Sequence, residues 1–165
     1  LKSNENYKDG KLVGLIESYY ESGELWEKGI YKEGKKDGLW ESYHENGVLK
    51  SNENYKDGKL DGLIESYYKS GELLEKGIYK EGKKDGLWDN YYENGWLKSN
   101  INWKEGKKDG LSVTYHENGQ ISTRGHYRIW DSLFDGEKEG LWEYFNEDGS
   151  LKKTETYRIG MKIDY

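Results

Sequence analysis

Apolar and polar residues alternate along this chain in short segments that are separated by glycine-containing turns. Residues 39–45 interleave leucine, tryptophan and tyrosine with polar residues, residues 48–56 resume the pattern, and Asn46-Gly47 separates the two. An alternation of this length is typical of a β-strand with two different faces. Asn-Gly between two such segments is typical of a two-residue hairpin turn. The pattern therefore predicts a β-hairpin.

The hairpin recurs with a period of 24 residues. A row of glycines marks the repeat starts, at Gly14, Gly38, Gly62, Gly86, Gly110 and Gly140. The last step is 30 residues, because a six-residue insertion lies between Tyr127 and Gly136. A period of 48 is superimposed, since residues 1–12 recur unchanged as residues 49–60. Self-similarity of this kind is typical of a repeat architecture.

The repeat and the composition together predict the fold class. Alanine and proline are absent while there are 22 glycines, 16 tyrosines and 7 tryptophans, which disfavours helices and leaves aromatic rings to supply the buried area. We expect an all-β protein, an elongated single-layer antiparallel meander of repeated hairpins that forms one array over residues 1–165. An open sheet has exposed edge strands, so we expect capping by residues 157–165 or end-to-end self-association.

The register of a two-residue turn predicts which residues share a face. Glu45 would pair with Val48, Ser42 with Ser51 and Trp40 with Glu53. One face would then carry Trp40, His44, Leu49 and Tyr55, and the other Leu39 and Tyr43, with Ile30, Asn54 or Ile78 according to the repeat. The second turn, residues 57–62, is expected to be longer and bulged by its glycines.

Several classes of chemistry are disfavoured by the sequence. There is no cysteine, which excludes disulfides, thiolate zinc sites and iron–sulfur clusters. His44 and His116 hold a repeat position that elsewhere holds tyrosine, which indicates packing rather than metal binding. No serine lies in a nucleophile elbow, and a single-layer sheet offers no deep cleft. We predict no enzymatic activity, no metal and no cofactor, and the net charge of −6 disfavours nucleic acid and anionic membranes.

A known family shows the same pattern of residues. Gly-Leu-Trp-x-x-Tyr-x-x-Asn-Gly-x-Leu, followed by Tyr-Lys-x-Gly-Lys-x-x-Gly, resembles the bacterial variant of the MORN repeat over almost the whole chain, with departures at Ser112 and at the insertion. The resemblance implies a scaffold or binding module for proteins or lipids, in forms that include antitoxins of toxin–antitoxin pairs and secreted or surface proteins. It leaves the location open between the bacterial cytoplasm and the cell exterior after removal of a signal peptide.

The leading hypothesis is a protein-interaction module that presents an aromatic face to a protein partner. The candidate contact residues are Tyr20, His44, Tyr68, Tyr92 and His116 of one repeating position, together with Trp26, Trp96, Trp130 and Phe134. The last two belong to the insertion, which either covers the neighbouring hairpins or contacts a partner, because long loops with apolar residues often carry function.

Two alternatives remain open from the sequence. Binding of lipid headgroups would use a lysine-bearing turn edge formed by Lys35, Lys36, Lys83, Lys84, Lys107 and Lys108. Asp37, Asp85 and Asp109 lie beside these lysines and offset their charge. Binding of carbohydrate would use the aromatic face.

Overall fold

A computed structural model describes residues 2–130 and 136–163, so Phe134 and most of the insertion lie outside the described residues. Within these ranges the chain consists of strands and turns without a helix. The strands are β1 (Lys2–Asn4), β2 (Tyr7–Lys8), β3 (Lys11–Leu12), β4 (Gly14–Tyr19), β5 (Leu25–Lys32), β6 (Lys35–Tyr43), β7 (Leu49–Lys56), β8 (Lys59–Tyr67), β9 (Leu73–Lys80), β10 (Lys83–Tyr91), β11 (Leu97–Lys104), β12 (Lys107–Tyr115), β13 (Ile121–Arg128), β14 (Glu137–Phe145), β15 (Leu151–Arg158) and β16 (Met161–Ile163).

The described strands form an open antiparallel meander. Fourteen of them make one sheet in the order β1, β4 and then β5 to β16 in sequence, while β2 and β3 pair separately. The predicted all-β class and the meander of 24-residue hairpins are therefore confirmed. The chain divides into two compact units, Leu1–Lys83 and Lys84–Tyr165, and each unit is described by itself below.

One end of each hairpin is a three-residue loop. In the loop that follows β6, His44 N–H donates to Val48 O over 2.8 Å and Gly47 N–H donates to His44 O over 2.8 Å. Gly47 has a φ of 80°, which is the left-handed residue of a type I turn with a G1 bulge. The predicted two-residue turn at Asn46-Gly47 is therefore wrong.

The extra loop residue changes one predicted face. Ser42 pairs with Ser51 and Trp40 with Glu53 as predicted, but the register then shifts and Leu49 pairs with Tyr43. Directly paired residues share a face of the sheet. Leu49 thus lies on the face of Tyr43 rather than on that of Trp40, because the bulge moves the return strand by one residue.

The other end of each hairpin is a two-residue turn. Lys56 pairs directly with Lys59, and the residues between them, Asp57 and Gly58, have φ values of 50° and 84°. Positive φ at both positions defines a type I′ turn, so the longer turn predicted here is wrong. The predicted bulge is present farther along, where Gly62 has a φ of 120° and the register shifts between β7 and β8.

In each unit, the core of the described residues is a row of large side chains on one face. Ile16, Trp40, Ile64, Trp88 and Trp142 are the buried apolar residues, and Ser112 holds the same position in β12. Around Trp40, the rings of Tyr31 and Tyr55 stand edge-on at centroid distances of 5.1 and 6.3 Å. Lys36 Nζ lies 3.9 Å from the Trp40 ring centroid. Burial in this sheet therefore comes from aromatic contacts and lysine stems on one face.

Candidate functional site

The predicted contact residues at the repeating position hold neighbouring hairpins together. Tyr20 Oη donates to Tyr43 O over 2.8 Å, and Tyr92 Oη donates to Tyr115 O over 2.8 Å. The histidines do the same, with His44 Nε2 2.9 Å from Tyr67 O and His116 Nε2 3.1 Å from Phe145 O. A carbonyl oxygen only accepts, so Nε2 carries the proton in both rings. These polar atoms are committed to the backbone of the next repeat, which supports the packing interpretation of the histidines.

Asparagines in the three-residue loops make a second set of links that the sequence analysis missed. Asn46 Nδ2 donates to Lys69 O over 2.9 Å and Asn118 Nδ2 donates to Glu147 O over 2.7 Å. Their Oδ1 atoms accept the N–H of the residue two positions on, Val48 and Gln120. The signal in the sequence is the recurrence of asparagine at this loop position in three of the six repeats, at Asn46, Asn94 and Asn118.

The two-residue turns are linked in a different way. Gly58 N–H donates to Lys36 O over 2.9 Å and Gly106 N–H donates to Lys84 O over 2.8 Å. Asp109 Oδ1 accepts the backbone N–H of Ile129 over 3.2 Å. Gly58, Gly106 and Asp109 therefore each bond to the backbone of a neighbouring turn or connection.

The six lysines of the predicted lipid-binding edge do not form one group. Lys36 and Lys84 stack on Trp40 and Trp88 at 3.9 and 3.6 Å, and Lys108 lies 5.0 Å from the Tyr127 ring. Lys35 and Lys83 are exposed, and Lys107 is half-buried. Side chains alternate between faces along a strand, so neighbouring lysines point to opposite sides. Three of the six cations are consequently engaged with aromatic rings.

Six of the seven tryptophans fall into two classes, and the seventh, Trp103, is half-buried in β11 at the repeat position of Tyr55. Trp40, Trp88 and Trp142 occupy the core row and are 3%, 0% and 4% exposed. Trp96 and Trp130 are 57% and 43% exposed, and Trp26 is half-buried. The positions equivalent to Trp26 hold Lys50, Leu74, Lys98, Ser122 and Lys152, and those equivalent to Trp96 hold Glu24, Val48, Glu72, Gln120 and Ser150. Folding of the repeat does not require tryptophan at either position.

Trp26 forms one wall of a shallow pocket of about 170 Å³ in the first unit. The other lining side chains include Trp40, Glu27, Lys36, Lys50 and Glu53. Lys36 Nζ lies 3.6 Å from a Glu27 carboxylate oxygen, so charges in the pocket are partly compensated. The pocket can hold a polar group against an aromatic ring. Among the described residues, no cluster of histidine and carboxylate side chains could bind a metal ion.

Trp96 and Trp130 are held in place on one side and accessible on the other. The Trp96 ring covers Gly119 of the next loop, where an added Cβ would lie 3.0 Å from Trp96 Cε3. The Arg128 guanidinium lies 4.4 Å from the Trp130 ring centroid. Phe134, predicted to act with Trp130, lies outside the described residues. Each ring is thus fixed by a neighbour while much of its surface remains exposed.

A second surface was missed because the sequence analysis concentrated on aromatic residues. On the face opposite the core row, Leu15, Ile30, Leu39, Leu63 and Ile78 of the first unit are each about half exposed, at 54%, 50%, 50%, 49% and 49%. We call this set the aliphatic stripe. Its signal in the sequence is the leucine that follows each repeat-start glycine.

Six segments of the chain match the family described as MORN repeat variant. They are residues 12–33, 36–57, 60–81, 84–105, 108–128 and 138–158. The chain belongs to this MORN repeat family. The match confirms the resemblance to the MORN repeat. Repeats of this family are generally non-catalytic scaffolds. No curated protein matches the chain significantly. In the described part of this MORN chain, no helix is long and apolar enough to cross a bilayer.

Proposed function

We propose that this MORN chain is a non-enzymatic scaffold that binds a protein partner through its accessible tryptophans. The observation that carries the proposal is the division of the tryptophans. Those in core positions are buried, whereas Trp96 and Trp130, outside those positions, are exposed. Tryptophan is enriched at the energetic centres of protein interfaces. Trp26 lies in the first unit and the other two lie in the second, so each unit presents a contact of its own.

Exposed tryptophan is a liability that folding does not explain. The repeat folds with glutamate, glutamine or serine at the position of Trp96 and with lysine, leucine or serine at that of Trp26. Exposed apolar groups promote non-specific association. Binding of a partner gives these two side chains a role beyond their contacts within the fold.

The proposal has two forms that differ in the identity of the partner. An antitoxin or immunity protein would cover a toxin with these tryptophans. A surface-exposed interaction factor would use them on an extracellular protein. Identification of the protein that the chain captures, by mass spectrometry, distinguishes the two forms.

The test replaces each tryptophan by a residue that the chain itself uses at the equivalent position. Trp26→Leu reproduces Leu74, and Trp96→Gln reproduces Gln120; neither should alter the thermal midpoint of unfolding. Wild-type chain and both variants are immobilised, and partners captured from the lysate of the source cells are measured again as purified proteins by calorimetry. We expect at least a tenfold loss of affinity in one variant. A partner that binds both variants, and Trp130→Ala, as tightly as the wild type contradicts the proposal.

The pocket at Trp26 supports carbohydrate as a second candidate ligand. An aromatic wall next to the charged side chains of Glu27, Lys36 and Glu53 combines a stacking surface with hydrogen-bonding groups. Titration with soluble oligosaccharides, followed by calorimetry on the wild type and on Trp26→Leu, tests this candidate. Binding that disappears in Trp26→Leu supports it, and the absence of binding at millimolar concentration rejects it.

A further inference from the structure

The aliphatic stripe crosses the first unit with one polar interruption, Asn54 of β7. Leu15 pairs directly with Ile30, and Leu63 pairs directly with Ile78. Leu39 lies between these pairs and is opposite Asn54, whose Nδ2 donates to Leu63 O over 2.7 Å. Five half-exposed aliphatic side chains on neighbouring strands make an apolar patch of the kind that marks an interaction site.

The charged residues along the two borders of the stripe are paired differently. On the side of the three-residue loops, lysines face carboxylates: Lys28 pairs with Glu17 and lies 2.7 Å from Glu41. On the side of the two-residue turns, lysines face lysines, since Lys32 pairs with Lys35 and Lys56 with Lys59. Like charges directly opposite each other destabilise a sheet, so this arrangement works against folding.

We call the exposed lysines of these turns the lysine column: Lys32, Lys35, Lys56, Lys59, Lys80 and Lys83. None of them makes an ion pair with a described residue. The nearest acidic groups in sequence are Glu33, Asp57 and Glu81 at the turn tips, with half-buried Asp37, Asp61 and Asp85. Asp61 already accepts the backbone N–H of Glu81 over 3.3 Å. The column therefore presents free cations beside the stripe although its total charge is nearly balanced.

We propose that the stripe and the lysine column together form a docking surface for an acidic amphipathic helix of a partner protein. Leucine-like side chains of the helix pack on the stripe, and its carboxylates lie along the column. The same turns recur every second strand, a spacing of roughly 9.6 Å. Residues seven positions apart on a helix are about 10.5 Å apart. A heptad pattern of leucine and glutamate thus matches the repeat of the surface.

This inference rests on the proposed function only in that the ligand is a protein. It concerns the face opposite the core row, whereas Trp26 lines a pocket on the core-row face. Charge complementarity selects an acidic segment, because a basic segment would face the unpaired lysines. Apolar contact selects an amphipathic one, because a purely acidic chain would leave the stripe exposed.

The experiment uses the full chain and a labelled synthetic 21-residue peptide with leucine and glutamate in a heptad pattern. Fluorescence anisotropy measures its binding at low and high salt. We expect at least a tenfold loss of affinity in the double variant Leu39→Gln/Leu63→Gln and in the triple variant Lys32→Glu/Lys56→Glu/Lys80→Glu. Lys69→Glu is the control for charge reversal outside the column, because it reproduces Glu21 of the duplicated copy; it reverses one charge, as Lys56→Glu alone does, and it should bind like the wild type.

Three results would overturn the inference. The first is no binding of the peptide at millimolar concentration, and the second is equal binding of a peptide in which lysine replaces every glutamate. The third is unchanged affinity in the stripe and column variants, with circular dichroism showing that they are folded. Trp26→Leu separates this surface from the proposed tryptophan contact, because it should leave binding of the peptide intact. Loss of a captured partner in Trp26→Leu, but not in the stripe and column variants, would support the tryptophan proposal without supporting this inference.

Discussion

The indole ring of Trp40 lies directly over Gly29 of the preceding strand, so that a Cβ on Gly29 would overlap the ring. Trp142 covers Gly125 in the same way. Where the core row carries the smaller Ile64, the position on the preceding strand is Glu53, and where it carries Ser112, that position is Ile101. On the side of the preceding strand, Trp40 and Trp142 thus face a glycine, whereas the smaller Ile64 and Ser112 face a larger side chain.

Gly29→Ala should therefore destabilise the first unit although alanine suits a strand better than glycine. The added methyl group overlaps the Trp40 ring, and overpacking of this kind costs about 1 to 3 kcal/mol. Urea unfolding followed by circular dichroism measures the loss. The double variant Gly29→Ala/Trp40→Ile should lose less than the sum of the two single variants, since isoleucine leaves room for the methyl group. Strict additivity would show that the two residues do not compete for the same space.

Two neighbouring residues on opposite faces should differ widely in their contribution to stability. Trp88 is fully buried, whereas Leu87 is 47% exposed. We expect Trp88→Ala to cost about 3 to 5 kcal/mol, as for other buried aromatic residues. Leu87→Ala is the matched control and should cost under about 1 kcal/mol. Similar losses in the two variants, measured by urea unfolding, would contradict the division of the sheet into a buried face and an exposed one.

His44 should be replaceable by tyrosine but not by phenylalanine. Tyr20 and Tyr92 make the same bond to a backbone carbonyl that His44 makes to Tyr67 O. Loss of one such bond costs about 1 kcal/mol. His44→Tyr should keep the stability of the wild type, whereas His44→Phe should lose it and exchange amide hydrogens faster in the adjoining loop. If His44→Phe is as stable as His44→Tyr, the bond does not link the hairpins.

Glu155 should titrate well below an ordinary glutamate. Lys153 donates to one carboxylate oxygen over 3.0 Å and Tyr157 Oη to the other over 2.8 Å. These bonds lower the pKa of Glu155 to about 2, and the bond from Lys153 has the largest effect. A lowered pKa stabilises the fold above the unfolded value near 4.5, and this contribution is lost as the pH falls from there towards 2. Carbon-detected NMR titration of the carboxyl group measures the pKa. Glu155→Gln should show a smaller fall in the melting temperature between pH 5 and pH 2, and an equal fall would contradict the assignment.

The fold could be predicted from the sequence because the period of the glycines fixes the length of every hairpin. The geometry of the turns could not, because Asn46-Gly47 and Asp57-Gly58 are both typical of a type I′ turn. Asn46 lies in a three-residue loop, where its Nδ2 donates to Lys69 O of the next loop. The type I′ turn is formed by Asp57-Gly58 at the other end of the hairpin. Turn preferences alone therefore do not decide which end of the hairpin carries the two-residue turn.

Two of the candidate contact residues stand out in the sequence because they depart from their repeat. Trp26 and Trp96 differ from the residues at equivalent positions, and that difference is visible in the sequence. The aliphatic stripe has no such signal, since Leu39 and Leu63 recur in every repeat and look like core residues. Their exposure follows from the pairing of Trp40 with Glu53, which places tryptophan and leucine on opposite faces.

The matching of Trp40 to Gly29 also bears on how such a chain can grow. Each core residue must fit the strands on both sides, and in the first unit isoleucine and tryptophan alternate along the core row, with Gly29 between Ile16 and Trp40 and Glu53 between Trp40 and Ile64. Insertion of a single 24-residue hairpin would break this alternation and bring unmatched side chains together. Insertion of two hairpins preserves it at both junctions. The increment by which the gene can lengthen without disturbing the core is therefore 48 residues, the spacing at which residues 1–12 recur unchanged.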